Sequence, residues 1–189
     1  GTVRYQAKDA NGNVIPAAHR TPTFTSSNSA VAAVYPSGLV QALSVGTADI
    51  TGTMDGASDV ITFKVLAVHV TDLWICNASD VAAAQEAGIG RVAGSLYIGG
   101  CDGPSSLVNV DGLGSILEVT GSVVASDNPA LLNLNGLSNL QQVGASVSLY
   151  GNPLLTSTAV FPALTHIPND LVLNAGAKIF GMPGLLTVD

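Results

Sequence analysis

The sequence predicts a mainly β chain, with a β-sandwich first, a β-solenoid after it and one capping helix at the start of the solenoid. Similar text restarts at Val92, Val119, Val143, Ile167 and Val188, which are 27, 24, 24 and 21 residues apart. Such periods indicate coils that bury their apolar faces against one another. The residues before the repeat form short alternating segments divided by turns, as in a sandwich. Charged residues make up 10% of the chain, against roughly 25% in typical domains.

The charge pattern narrows the class of partner. The formal net charge is −7, and only Arg91 and Lys178 are basic after residue 64. Phosphate-rich partners need clustered Lys and Arg, so we expect neither nucleic acid nor an anionic membrane surface to bind. No apolar run reaches the roughly 18 residues of a membrane span, which predicts no membrane insertion. Because the chain opens at Gly1 without a signal peptide, we expect an excised or mature fragment of a longer protein.

Residues 1–68 are predicted to form the sandwich. Its first strand alternates Val3, Tyr5 and Ala7 inward, and Asn11-Gly12 favours a tight hairpin turn. Further strands are expected around Phe24, at 30–34, and in the segments LVQAL, GTADITGTM and DVITFKVL. The expected core side chains are Ile50, Ile61, Phe63 and Val65.

The stretch 9–13 reads D-x-N-x-N, which is also the start of a calcium-binding loop. A complete loop places an acidic ligand at its twelfth position, and this chain has Arg20 there. We therefore interpret 9–13 as a hairpin turn and predict no metal site.

The segments SSNSAVAAV, SGLVQAL and GTADITGT give residues 1–66 a family resemblance. They resemble the bacterial immunoglobulin-like domain of group 2. Phe24 stands where that family usually has Trp, and the usual first strand upstream of Gly1-Thr2 is missing. The resemblance implies an immunoglobulin-like β-sandwich, an extracellular setting, a spacer or adhesion role and no catalytic residues.

One helix is predicted at about 79–87. Asn77 or Ser79 can cap its start, three consecutive alanines propagate it and Gly88 ends it. We expect this helix to cover the open end of the solenoid core, as terminal units of repeat proteins do. Trp74, which precedes it, is expected in the core.

Cys76 and Cys101 are the only cysteines. In an exported protein they predict a disulfide that pins the helix to the first coil. Closing a loop of about 25 residues would stabilise the fold by roughly 3 kcal/mol in the chain-entropy model. A reactive pair would favour C-x-x-C spacing and zinc would need more ligands, so both alternatives are disfavoured.

The solenoid is predicted over 69–189, with three apolar columns per coil. The first column is an alternating strand, with Leu96/Ile98, Val123/Ala125, Val147/Leu149 and Leu171/Leu173 facing inward. Asn128 and Asn152 occupy the same corner of successive coils, where a side-chain amide can satisfy backbone groups.

The pattern G-S-L/V-x-I/L-x-x-N-P resembles receptor L domains over about residues 74–189. The resemblance implies a right-handed leucine-rich β-solenoid. In receptors such domains act as ligand-binding arms.

The candidate binding residues occupy positions at which the repeat does not require a particular side chain. Tyr97, Val124, Tyr150 and Val172 are predicted to form an outward apolar and aromatic stripe. If exposed, the stripe indicates an interaction site; the alternative is ordinary surface or packing. His19, His69 and His166 have no matching nucleophile and carboxylate at a recognisable spacing. The sequence therefore predicts no enzyme and no cofactor.

Together these features favour an extracellular adhesion or recognition module of a bacterial surface or secreted protein. Its expected partner is a protein or glycan on another cell or surface. The alternatives are a purely structural stalk segment of a surface fibre, and an accessory region of a secreted hydrolase. Because residues 182–189 end without an evident cap, we also expect self-association through the C-terminal coil.

Overall fold

The protein is mainly β with one α-helix in its described part. The computed structural model describes residues 3, 14, 21–103, 105–157, 160–173, 178–179 and 181–189. The expectations for Tyr5, Ala7, the 9–13 turn and His19 lie outside the described residues. The chain divides into two compact units, Gly1–Val65 and Leu66–Asp189. This boundary precedes the predicted one at 68/69, because the strand Ala67–His69 pairs within the second unit.

The first unit contains two antiparallel sheets. One has the order β1-β4-β5 and the other joins β2 to β3. Asp55 and Gly56 connect β4 to β5 with positive φ angles of 52° and 82°, as a two-residue hairpin turn requires. The strands are β1 (Thr23–Ser26), β2 (Ala32–Val34), β3 (Val40–Ala42), β4 (Gly46–Met54) and β5 (Ala57–Val65).

The core of this unit is small and draws on both sheets. Its buried members are Val31, Ala32, Val40, Ala48 and Ile50, and Phe63 and Val65 pack against them while partly buried. The expectation that Ile61 is a core residue is wrong, because its side chain is 46% exposed. Ile61 lies opposite Ile50 but on β5, the outer strand of the described sheet, so β4 alone covers it among described strands.

The second unit is built from short parallel strands that pair one repeat apart, and each repeat is called here a coil. The largest sheet, called here the five-strand sheet, has the order β16-β13-β11-β9-β7, and the four-strand sheet has the order β12-β10-β8-β6. Two further pairs join β14 to β17 and β15 to β18. The strands are β6 (Ala67–His69), β7 (Leu73–Ile75), β8 (Ile89–Val92), β9 (Leu96–Gly99), β10 (Glu118–Val119), β11 (Val123–Ser126), β12 (Gln142–Val143), β13 (Val147–Tyr150), β14 (Thr156–Ser157), β15 (His166–Ile167), β16 (Leu171–Leu173), β17 (Lys178–Ile179) and β18 (Thr187–Val188).

The inward column of the five-strand sheet follows the repeat. Leu96, Val123 and Val147 are opposite one another in successive strands and have no exposed surface. The prediction that Leu173 also points into the core is wrong, because this side chain is 49% exposed. Its strand, β16, is the last of the sheet, so no described strand follows to cover it.

The α-helix α1 spans Ala78–Glu86, one residue before its predicted range. The Asn77 side chain accepts hydrogen bonds from the backbone N–H groups of Ser79 and Asp80, at 2.8 and 3.2 Å. The Asp80 carboxylate in turn accepts the N–H of Asn77 at 3.1 Å, which completes a capping box.

The partner of α1 is a short 3₁₀ helix, Asp111–Leu113, in the next coil. A Cβ at Gly112 would lie 2.7 Å from the Val81 side chain, so glycine permits this close approach. The 3₁₀ helix Asn135–Leu137 packs beside Asp111–Leu113 in the coil after that. Helix α1 therefore takes the place of a 3₁₀ turn in the first coil. Within the described part of the chain, no helix combines the length and apolarity needed to cross a membrane.

Candidate functional site

The outward side of the five-strand sheet carries one continuous row of side chains. The register places Trp74, Tyr97, Val124, Ser148 and Val172 opposite one another on successive strands. Adjacent strands lie about 4.8 Å apart, so the row extends for roughly 19 Å. Together with Tyr150, these residues are called the aromatic face.

Two rings stack at one end of the aromatic face. The ring centroids of Trp74 and Tyr97 are 4.2 Å apart, and the ring planes are inclined by 14°. The expectation that Trp74 belongs to the core is wrong, because its side chain is 49% exposed. In the triplet Leu73-Trp74-Ile75 the two outer residues are buried, so strand alternation turns Trp74 outward. One face of the indole is covered by Tyr97, and the other points away from it at the outer strand.

The structure brings the four predicted binding residues to this one side of the sheet. Tyr97, Val124 and Val172 share the row, whereas Tyr150 lies two residues beyond Ser148 on β13. Tyr150 and Val172 are 39% and 42% exposed, and the other two are half-buried. Sequence reasoning assigned the fifth member, Trp74, to the core instead of to this face. Its signal was the match of Leu73-Trp74-Ile75 to Leu96-Tyr97-Ile98.

A ladder of polar side chains supports the start of each strand in this sheet. Asp72 accepts the N–H of Ser95 through its carboxylate at 2.7 Å, and the Ser95 hydroxyl accepts the N–H of Ser122 at 3.1 Å. The Ser122 and Ser146 hydroxyls accept the N–H groups of Ser146 and Asp170, both at 3.3 Å. These bonds join five consecutive coils below the aromatic face, so its side chains are displayed by a frame with fixed register.

Buried asparagines support the other end of the strands. The Asn128 amide donates to the carbonyl oxygens of Ile98 and Ser126 and to Oδ1 of Asn152, at 2.9, 3.0 and 2.9 Å. The Asn152 amide donates to the carbonyl of Ala125 at 2.9 Å. Both asparagines are fully buried.

The disulfide between Cys76 and Cys101 is confirmed, with Cα atoms 5.9 Å apart. The pairing of Gly99 with Ser126 puts Cys101 at the position that Asn128 holds in the following coil. The disulfide therefore replaces the asparagine at the first corner and joins it to Cys76, the residue before the N-cap of α1.

A groove of about 790 Å³ opens on another side of the second unit, between β10, β12 and β15. It is called here the seam groove. Its polar lining includes Glu118, Gln141, Gln142, Thr165 and His166. Glu118 is paired with Arg91 on β8, with Nε and Oε2 3.0 Å apart. Sequence reasoning did not predict this groove.

The histidines in the described part of the chain contact polar groups of neighbouring residues. Nε2 of His69 is 3.2 Å from the carbonyl oxygen of Asp72. His166 lies between Thr187 and Asp189, with Nδ1 2.7 Å from the threonine hydroxyl and Nε2 3.4 Å from the carboxylate. The His166 and Asp189 side chains are both exposed, so water surrounds this trio. Over the described ranges, no three His, Cys, Asp or Glu side chains are grouped to hold a metal ion.

Comparison with known proteins finds a similarity in one part of the chain. No curated protein and no solved structure matches it. One family model matches, that of the bacterial Ig-like domain (group 2), over residues 6–65. Residues 6–65 of this chain are therefore similar to bacterial immunoglobulin-like domains of group 2.

Proposed function

We propose that the chain is an extracellular recognition module of a bacterial surface or secreted protein, without catalytic activity of its own. Domains of the matched family occur in bacterial surface proteins, which is compatible with an adhesive or a structural role. The disulfide supports an oxidising compartment outside the cytosol. In this proposal, residues 1–65 space or present the second unit.

The second unit, in this proposal, is a right-handed leucine-rich β-solenoid of the receptor L domain kind, and it binds a protein or glycan on another cell or surface. Supporting this fold are parallel strands paired one repeat apart and the buried asparagine corners. The observation that carries the function is the stacked pair of Trp74 and Tyr97 on an exposed sheet face. Tryptophan and tyrosine dominate the binding energy of many interfaces because they bury a large rigid area.

The test is binding of the purified chain to bacterial and host cells and to a glycan array. We expect Trp74→Ser and Tyr97→Ser each to weaken binding about tenfold, the lower range of an interface hot spot. Leu154→Ser is the matched control, because Leu154 is also about half exposed and lies off the aromatic face. Binding that survives loss of both rings would refute the role of this face.

A structural stalk role is the second candidate. The serine and asparagine ladders and the disulfide tie successive coils together, which suits a rigid segment of a surface fibre. A chain that binds neither cells nor glycans, with its folding intact, would favour this role over recognition.

Self-association belongs to the same proposal. Leu173, Leu186 and Val188 are exposed at the C-terminal strands β16 and β18, and Leu186 is the most open of them at 82%. No further described strand pairs with β16 or β18, and apolar side chains beside such strand edges favour pairing with a second copy.

A further inference from the structure

The seam groove lies between β12 and β15, where the series of backbone hydrogen bonds that joins successive coils is interrupted. This series is called here the strand ladder. In three coils, the residue after the strand donates its N–H to the coil before: Ala93 to His69, Thr120 to Val92 and Gly144 to Val119, at 2.7 to 2.9 Å. The ladder resumes at the last coil, where Asp189 donates to Ile167 at 3.1 Å. The corresponding residue between these coils is Pro168, which has no N–H to donate.

The interruption leaves backbone groups without partners at the seam. The carbonyls of Leu117 and Thr165 accept bonds from the following coil, as do those of Val119 and Ile167. Among the described residues, no hydrogen bond reaches the equivalent carbonyls of Gln141 and Val143. Strand β12 accordingly pairs with β10 alone, and β15 pairs with β18. Acceptors left unpaired in this way are available to a ligand that carries donors.

The seam groove has the size and the chemistry of a small polar binding site. Its volume of about 790 Å³ falls within the roughly 300–1,000 Å³ usual for ligand pockets. Gln141 and Gln142 offer amide donors and acceptors, and Thr165 offers a hydroxyl. The one lining carboxylate among the described residues, Glu118, is paired with Arg91, and the lining His166 lies beside the Asp189 carboxylate. No described Lys or Arg lines the groove. An anionic ligand would therefore find no unpaired Lys or Arg, and an aromatic ligand no large apolar surface.

We propose that the seam groove binds a short neutral glycan. Sugar hydroxyls both donate and accept hydrogen bonds, which matches the free carbonyls of Gln141 and Val143 together with the Gln142 amide and the Thr165 hydroxyl. Pro168 creates the site by keeping the two coils from closing their ladder. The site is separate from the aromatic face and does not depend on the function proposed for it.

The probes are chitobiose, cellobiose, lactose and mannobiose, with 3′-sialyllactose as the anionic comparison. Saturation-transfer NMR at millimolar sugar is expected to detect at least one neutral disaccharide and to perturb the Gln142 side-chain amide. Gln142→Ala combined with Thr165→Val should weaken that binding at least tenfold. Tyr150→Ser, on the aromatic face, is the control and should leave the binding unchanged.

Pro168→Ala tests the origin of the site. The backbone N–H that this substitution introduces is expected to bond the Val143 carbonyl, to exchange slowly with solvent and to reduce sugar binding while the protein becomes more stable. Two results would overturn the proposal: no neutral disaccharide binds, or binding is equal in the wild type and in the Gln142→Ala/Thr165→Val variant. A slowly exchanging amide at position 168 of the Pro168→Ala variant, with undiminished sugar binding, would also overturn it.

Discussion

At the scale of the residue, Asn128 carries the most demanding role. Its amide nitrogen lies within hydrogen-bond distance of two carbonyl oxygens and the Oδ1 of Asn152, in a place that water does not reach. Its own Oδ1 is buried without a hydrogen-bond partner among the described residues. The coil on that side supplies Cys101 where an asparagine would have continued the series. The corner role of Asn128 follows from the sequence, since asparagine recurs there, but the missing partner depends on packing.

Asn128→Ala is expected to destabilise the second unit by about 3 kcal/mol, because the variant leaves several buried acceptors unpaired. Chemical denaturation measures this free energy. Asn135→Ala is the control, since Asn135 is exposed, and it should change stability by less than about 0.5 kcal/mol. Equal stabilities for the two variants would contradict the stabilising role of the buried asparagine corner.

At the scale of the element, the sequence predicted best where alternation decides the outcome. The inward column of Leu96, Val123 and Val147 could be predicted because a half-buried strand repeats every two residues. Trp74 was misplaced because it was expected to pack beside the capping helix, whereas alternation within the strand Leu73–Ile75 turns it outward. The seam groove was not predicted, although Pro168 is evident in the sequence. Its missing N–H matters only once the register places it against Val143.

The C-terminal strands carry a prediction at the same scale. No further described strand pairs with β16 or β18, and Leu173, Leu186 and Val188 are exposed in or beside these strands. The chain is therefore expected to self-associate at high concentration. Sedimentation equilibrium measures the association. Leu186→Lys should yield a monomer, since it places a charge on the edge, whereas Leu154→Lys should still associate. A wild-type chain that stays monomeric at every concentration would refute self-association through these strands.

At the scale of the whole molecule, the two units differ in what holds them together. The first has a small core and no cysteine, whereas the core of the second runs from Leu73 to Ile167 and is joined by the disulfide. Reduction is therefore expected to lower the unfolding free energy of the second unit by about 3 kcal/mol. Denaturation with and without reductant measures this change.

Two controls accompany the reduction experiment: the first unit of the same chain, and a variant that lacks the disulfide. The unfolding transition of residues 1–65 should not move, because that unit contains no thiol. A variant with Cys76→Ser and Cys101→Ser should not respond to reductant at all. A second-unit transition that is indifferent to reductant in the wild type would show that the bond contributes nothing to stability.

The position of Cys101 at the asparagine corner also bears on how the chain avoids misalignment during folding. Successive coils are so alike that β7 could align with β11 instead of β9, and each slipped pairing would still bury apolar side chains. In such a slip Cys76 would face Asn128, and Cys101 would be left as an unpaired thiol. Only one alignment brings the two sulfurs together, so the disulfide specifies which coil is the first.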